Sequence, residues 1–114
     1  MRVLFDQGTP VPIRRHLTGH EVGISAELGW EELRNGELLL AAEQAGFKIF
    51  LTTDKNLRYQ QNLAERVIAI VVIGHAQWPA LRPHVQRVVD AVNAAMPGSY
   101  VEVEIPYRKG PAVP

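Results

Sequence analysis

The sequence predicts an α/β fold: a three-layer α/β/α domain with a mostly parallel central sheet of four to five strands. Short apolar segments of strand length alternate with helix-forming segments throughout the chain, which favours right-handed crossovers between parallel strands. The chain has 114 residues and a hydrophobic content of 46%, enough to bury the core of one domain.

The first elements are a buried strand at residues 2–5, a helix that begins after Thr9, and a strand at residues 21–25. The Thr9 hydroxyl is placed to cap the helix, and the proline that follows suits a first helical turn. The second strand alternates polar and apolar residues, as is typical of a more exposed strand.

Residues 29–34 are rich in turn formers and leave room for a short helix. Asn35 has the chemistry of an N-cap, and residues 36–46 are strong helix formers that end in a glycine. A third strand is predicted at residues 48–52, where the chain is again apolar.

A short helix is predicted at residues 56–65, followed by a wholly apolar strand at residues 67–73. Residues 79–95 carry leucine and valine at helical spacing and predict an amphipathic helix.

A peripheral fifth strand is expected at residues 100–105, which alternate in polarity. The domain should therefore span residues 1–105. Residues 106–114 are proline-rich without apolar periodicity, and we expect them to form a flexible tail.

Composition excludes several function classes. Twelve basic and twelve acidic residues give a net charge of zero, so the chain lacks the overall positive field of a strong nucleic-acid binder. Cysteine is absent, which excludes disulfides, thiolate zinc sites and thiol catalysis. Because neither a signal peptide nor an apolar segment of about 20 residues is recognisable, we expect a cytoplasmic location without membrane contact.

Two apolar strands end abruptly in aspartate: Asp6 follows the first strand and Asp54 the third. The carboxyl ends of parallel strands meet at one sheet edge, where ligands bind in open α/β sheets. Glu37 begins a helix whose first turn should lie at the same edge. Two carboxylates about 5 Å apart repel by about 3 kcal/mol at an effective dielectric of about 20, and Mg²⁺ or Mn²⁺ would reverse the sign.

Each acid also has a structural interpretation. Aspartate is common in turns after strands, and Asn-Gly-Glu before a run of leucines is ordinary chemistry for a helix start.

The strand-turn-helix sequence Val-Leu-Phe-Asp-Gln-Gly-Thr-Pro, residues 3–10, resembles the opening of PIN-like nucleases. The stretch Leu-Thr-Thr-Asp-Lys-Asn-Leu, residues 51–57, is similar to the second signature of that family, a strand that ends in Thr-x-Asp. Between them, Asn-Gly-Glu-Leu-Leu matches the position where an acidic residue opens a leucine-rich helix.

The resemblance covers about residues 1–92 and implies a PIN-like domain. It implies a ribonuclease that uses Mg²⁺ or Mn²⁺, the toxin component of a toxin–antitoxin pair, with RNA as substrate, an antitoxin protein as partner and a homo-oligomeric state. Catalysis and metal binding would fall to Asp6, Glu37 and Asp54. By the same resemblance Thr52 or Thr53 would help to position a ligand or water, and Gln7 and Asn56 could coordinate or orient it through their carbonyl oxygens. Apart from the resemblance, Lys55 and Arg58 flank Asp54 and could bind a phosphate, although loop cations of this kind are commonly only solvated.

Two departures from the family pattern leave alternatives open. Gln7 stands where relatives often carry glutamate, and Asn56 where many carry aspartate, so three acids are found instead of four. The first alternative is a PIN-like binding module with weak or no catalysis. The second, suggested by an aspartate after the third strand together with an acid after the first, is a receiver-like phosphoacceptor domain. It is the weaker alternative, because receivers need paired acids after the first strand, where Gln7 follows Asp6, and a lysine after the last strand, where no good candidate follows Ile105.

Overall fold

The computed structural model of the chain describes residues 1–57 and 66–106. Five parallel strands form one sheet in the order β2-β1-β3-β4-β5. The strands are β1 (Arg2–Phe5), β2 (Glu21–Ile24), β3 (Ile49–Thr52), β4 (Ala69–Ile73) and β5 (Tyr100–Val103). The predicted α/β fold with helices on both faces of the sheet is confirmed.

Helices cover both faces of the sheet. The described helices are α1 (Asn35–Gln44), α2 (Trp78–Leu81) and α3 (Val85–Ala94), together with 3₁₀ helices at Val11–His16 and Arg82–His84. The segment predicted as a short helix at residues 56–65 lies outside the described residues except for its first two positions. The predicted tail likewise lies outside them, apart from Pro106.

The sheet separates two apolar clusters. Val3, Phe5 and Leu51 point to one face, where they pack with the first 3₁₀ helix, α2 and α3. Leu4 and Phe50 point to the other face and pack against α1. This alternation follows from the two-residue period of a strand. All four residues of β3 and all five of β4 are buried, as expected for central strands covered on both sides.

Three local predictions need correction. The helix expected at residues 79–95 is interrupted by the Arg82–His84 turn, because Pro83 has no N–H to donate and its ring obstructs the preceding turn. The segment after Thr9 is a 3₁₀ helix with Pro10 at its N-cap position. Asn35 is the first residue of α1, and Arg34 occupies the N-cap position.

Thr9 has a role other than the predicted cap. Its side chain is buried, and its hydroxyl donates to the Leu51 carbonyl of β3 at 3.1 Å. The Thr9 backbone N–H donates to the Asp6 carbonyl at 3.1 Å and closes a tight turn. Gly8 lies in this turn with φ of +90°, a conformation that glycine adopts without strain.

Within the described part of the chain, no helix has the length and apolar character needed to cross a membrane.

Candidate functional site

The strand order reverses direction between β1 and β3. The chain moves from β1 outward to β2 on one side, then returns to place β3 on the other side of β1. Such a switch point leaves a crevice at the carboxyl ends of the two strands, and ligands of open α/β sheets bind there. Asp6 directly follows β1, and Asp54 follows β3 after one intervening residue. We refer to them as the aspartate pair.

Thr52 links the two aspartates. The last paired residues of the two strands are Phe5 and Leu51, so Asp6 and Thr52 come next in register. The Thr52 hydroxyl donates to Asp6 Oδ2 at 2.8 Å and accepts from the Asp54 backbone N–H at 3.0 Å. This hydroxyl, which is inaccessible to solvent, therefore holds the carboxylate of Asp6 and the backbone of Asp54.

Asp6 is a partly buried carboxylate whose backbone is firmly held. Its N–H donates to the Leu51 carbonyl at 2.9 Å, and its Oδ1 accepts from the Gln7 N–H at 2.8 Å. Burial raises the pKa of Asp6 above its usual value, and the charge of Asp54 adds to this, while the hydrogen bonds from Thr52 and Gln7 oppose it. The ionised form is therefore held at an energetic cost.

Asp54 begins the loop after β3. Its Oδ1 accepts the Asn56 N–H at 2.9 Å, as in an Asx turn, and its carbonyl accepts the Leu57 N–H at 3.4 Å. This turn satisfies one carboxylate oxygen through the backbone. The negative charge of Asp54 adds to the effect of burial in raising the pKa of Asp6.

Glu37 lies in the first turn of α1, exposed to solvent. It does not contribute to the raised pKa of Asp6. Among residues 1–57 and 66–106, no group of three carboxylate or histidine side chains is placed to hold a metal ion. The structure thus brings together two of the three predicted ligands, and Glu37 is not joined to them. An acid in a first helical turn also stabilises the helix through its dipole.

The auxiliary residues surround the aspartate pair at different depths. Gln7, Lys55 and Asn56 are exposed, and Thr53 is half-buried with its hydroxyl near Gly8. Arg58 lies outside the described residues.

Two clefts open at the carboxyl edge of the sheet. The first, which we call the Arg34 cleft, has a volume of about 230 Å³ and is lined by Asp6, Gln7, Glu31, Leu33, Arg34 and Leu38. The second has a volume of about 330 Å³, and Lys55, Glu102 and Glu104 are among its lining residues. Asp6 therefore lines a cleft that also contains the cation Arg34. The second cleft lies beside the loop that follows Asp54 and contains Lys55.

Glu31 and Arg34 were not among the residues predicted for the site. They belong to the turn-rich segment 29–34, which has no periodicity from which to infer its direction. The prediction that α1 begins near Asp6 could have drawn attention to them, because they immediately precede that helix.

Asp6 and Asp54 are the residues that could hold a magnesium or manganese ion, and with two carboxylates such an ion would have to keep much of its water shell. Mg²⁺ is commonly bound through one or two carboxylates, retained waters and substrate phosphates. Asp6 and Asp54 supply two carboxylates, and the backbone N–H groups of Gln7 and Asn56 each donate to one of them. A cation would also relieve the unfavourable charge of the partly buried Asp6 carboxylate.

Comparisons of this chain with protein-family models, with curated proteins and with solved structures found no match.

Proposed function

We propose that this protein is a metal-dependent ribonuclease in which Asp6 and Asp54 bind Mg²⁺ or Mn²⁺. The observation that carries the proposal is the aspartate pair, joined through Thr52 at the switch point between β1 and β3. The similarity of residues 3–10 and 51–57 to PIN-like signatures supports the same chemistry.

The energetic argument is that the pair is unfavourable without a ligand. Burial and the neighbouring Asp54 charge both disfavour ionised Asp6, yet the Thr52 hydroxyl orients both aspartates. A divalent ion converts this repulsion into coordination. Bound there, the ion would lower the pKa of a coordinated water and neutralise charge on a scissile phosphodiester.

The residues of the chain would hold the site in shape. Thr52 keeps the Asp6 carboxylate oriented, and the Asn56 N–H keeps one oxygen of Asp54 directed into its own loop. Gln7 and Lys55 follow the two aspartates and are exposed, so they are available to an RNA strand.

Cleavage of a labelled single-stranded RNA tests the proposal. Wild-type protein should cleave in MnCl₂ and stop in excess EDTA, and Asp6→Asn or Asp54→Asn should lower the rate by at least about 100-fold. Asp90→Asn is the matched control, since Asp90 is exposed on α3 and bonds to Gln86.

Full activity in both Asp6→Asn and Asp54→Asn would contradict this assignment of the site. We expect Glu37→Gln to lower the rate by less than about tenfold, because an acid at a helix start acts on the site only indirectly. RNA binding without cleavage in any metal would support the inactive binding module instead.

The receiver-like alternative also depends on Asp54. In a phosphoacceptor its carboxylate would take a phosphoryl group from a small donor. Incubation with acetyl phosphate and Mg²⁺ followed by intact-mass measurement distinguishes the two functions. A phosphoryl adduct that is lost in Asp54→Asn would favour the signalling role, and the nuclease proposal requires that none forms.

The resemblance extends the proposal to a cytoplasmic toxin with an antitoxin partner and a homo-oligomeric state. Induced expression in a bacterial host should then arrest growth, and Asp54→Asn should relieve the arrest. Sedimentation velocity of the purified chain tests self-association, and a single monomeric species at all concentrations would contradict it.

A further inference from the structure

The Arg34 cleft contains one cation and two carboxylates. The cation is Arg34, which is exposed to solvent. Within the described part of the chain, its guanidinium forms no hydrogen bond or ion pair with Asp6 or Glu31. An arginine that shares a cleft with carboxylates without pairing is available to an external anion.

We propose that Arg34 binds a phosphate of the RNA strand next to the bond that is cleaved, and so acts as a positioning residue. This inference rests on the proposed ribonuclease function and deepens it. Asp6 belongs both to the aspartate pair and to the wall of the Arg34 cleft, so a phosphate held by Arg34 would lie beside the site of cleavage.

The backbone of Arg34 is held in place. Its carbonyl accepts the N–H groups of Glu37 at 2.8 Å and Leu38 at 3.2 Å, in the first turn of α1. The loop before it is anchored by Trp30, whose N–H donates to the Ser25 carbonyl at 2.9 Å and whose ring packs edge-on against Phe47. The side chain therefore extends from a fixed point at the cleft.

Electrostatics favour a cation at this position. A phosphate that approached Asp6 and Glu31 alone would be repelled by both carboxylates, and a metal ion on the aspartate pair would offset only part of that charge. A guanidinium adds two parallel hydrogen bonds to phosphate oxygens, a geometry that lysine does not reproduce.

Lys55 does not replace Arg34 in this role. It is exposed, and it lines the other cleft together with Glu102 and Glu104. Because that cleft does not include Asp6, a phosphate bound there would lie on the far side of the aspartate pair.

The test compares Arg34→Gln and Arg34→Lys with Lys48→Gln. Lys48 is an exposed cation that precedes β3, so its removal changes the net charge equally at the opposite edge of the sheet. Four quantities are measured: kcat and KM for a single-stranded RNA in MnCl₂, the Kd of the same RNA labelled with fluorescein in CaCl₂, and Mn²⁺ affinity by calorimetry.

We expect Arg34→Gln to raise KM and the RNA Kd by about tenfold to 100-fold, as for the loss of a charge-assisted contact. Arg34→Lys should recover part of this loss, Lys48→Gln should match wild type, and Mn²⁺ affinity should not fall in any variant.

Each other outcome is decisive. An unchanged Kd in Arg34→Gln, an equal loss in Lys48→Gln, or no RNA binding by wild type would overturn the role of Arg34. If wild type binds RNA through Arg34 and never cleaves it, the proposed function fails while the phosphate site stands. Cleavage with a KM independent of Arg34 would overturn this inference alone.

Discussion

At the carboxyl end of β3, the hydroxyl of Thr52 is inaccessible to solvent and makes two hydrogen bonds, one to Asp6 Oδ2 and one from the Asp54 N–H. Thr52→Val has nearly the same shape but removes both bonds and leaves the Asp54 N–H without its acceptor. We expect it to lower the free energy of unfolding by about 1–3 kcal/mol and to weaken Mn²⁺ binding. Urea unfolding and calorimetry measure the two effects.

Two variants make this prediction specific. Thr52→Ser keeps the hydroxyl and should retain most of the metal affinity. Thr18→Val makes the same chemical change at an exposed position and should leave stability within about 0.5 kcal/mol of wild type. If Thr52→Val binds Mn²⁺ as tightly as wild type, the hydroxyl does not orient the aspartate pair.

Asp6 should oppose folding when no cation is bound. Burial raises its pKa, with the Asp54 charge adding to the effect, so the ionised carboxylate destabilises the folded state at neutral pH. Asp6→Asn removes this charge and should raise Tm by about 2–5 °C in EDTA. Saturating MnCl₂ should stabilise wild type and leave Asp6→Asn unchanged. A lower Tm for Asp6→Asn in EDTA would show that Asp6 is a structural residue.

The identity of site residues was only partly predictable from the sequence. The positions of Asp6 and Asp54 were predictable because each lies just after an apolar run, and parallel strands end at a common edge. Thr52 was assigned an auxiliary role from the resemblance, but its hydrogen bond to Asp6 could not be predicted, since it depends on the register between strands 46 positions apart in sequence. Glu37 was assigned by its place at a helix start, but side-chain direction within a first turn is not encoded in such a pattern.

At the level of elements, one strand begins later than predicted because a side chain accepts the backbone N–H groups that precede it. The fourth strand was predicted from residue 67, but β4 begins at Ala69. The N–H groups of Val67 and Ile68 donate instead to Glu43 Oε2 on α1, at 2.9 and 3.2 Å. Arg66 completes the contact with a 3.1 Å ion pair to Oε1. A bond between a helix and a distant strand start leaves no local trace in the sequence.

This contact predicts a dependence of stability on pH. Burial alone would raise the pKa of Glu43, but the hydrogen bonds from Val67, Ile68 and Arg66 outweigh it and lower the pKa below its usual value of 4.5. A lowered carboxylate pKa stabilises the folded state above pH 4.5, and the contribution is lost as the pH falls through the lowered value. We expect Glu43→Gln to cost about 1–2 kcal/mol at pH 7 and progressively less in acid.

Urea unfolding of Glu43→Gln and wild type between about pH 7 and pH 3 checks this expectation. Glu32→Gln is the matched control, because Glu32 is exposed and has no hydrogen bond or ion pair within the described residues. A difference between Glu43→Gln and wild type that stays constant down to pH 3 would mean that the charge of Glu43 is not its source.

For the whole molecule, the alternation of apolar strands and helices was sufficient to predict the parallel three-layer architecture. The strand order was not predictable in the same way. It depends on which side of β1 each crossover returns to, and that choice is made by the packing of both apolar clusters against the sheet. The sheet edge that holds the candidate site was predictable, but the switch point between β1 and β3 emerges only from the complete fold.

Net charge sets a limit on how the proposed RNA substrate would bind. With twelve basic and twelve acidic residues, there is no overall field to attract a polyanion, so binding must depend on local cations. Arg34 and Lys55 line the two clefts at the carboxyl edge. For single strands, each neutralised phosphate makes the slope of log K against log salt more negative by about 0.7.

Two phosphate contacts should therefore give a slope of about −1.4, and Arg34→Gln should reduce its magnitude by about 0.7. Fluorescence anisotropy of labelled RNA in CaCl₂, titrated across about 50–300 mM KCl, measures both slopes. Lys48→Gln should keep the wild-type slope, because Lys48 lies at the opposite edge of the sheet. A wild-type slope steeper than about −3 would require a broad basic surface and would contradict binding through these two clefts.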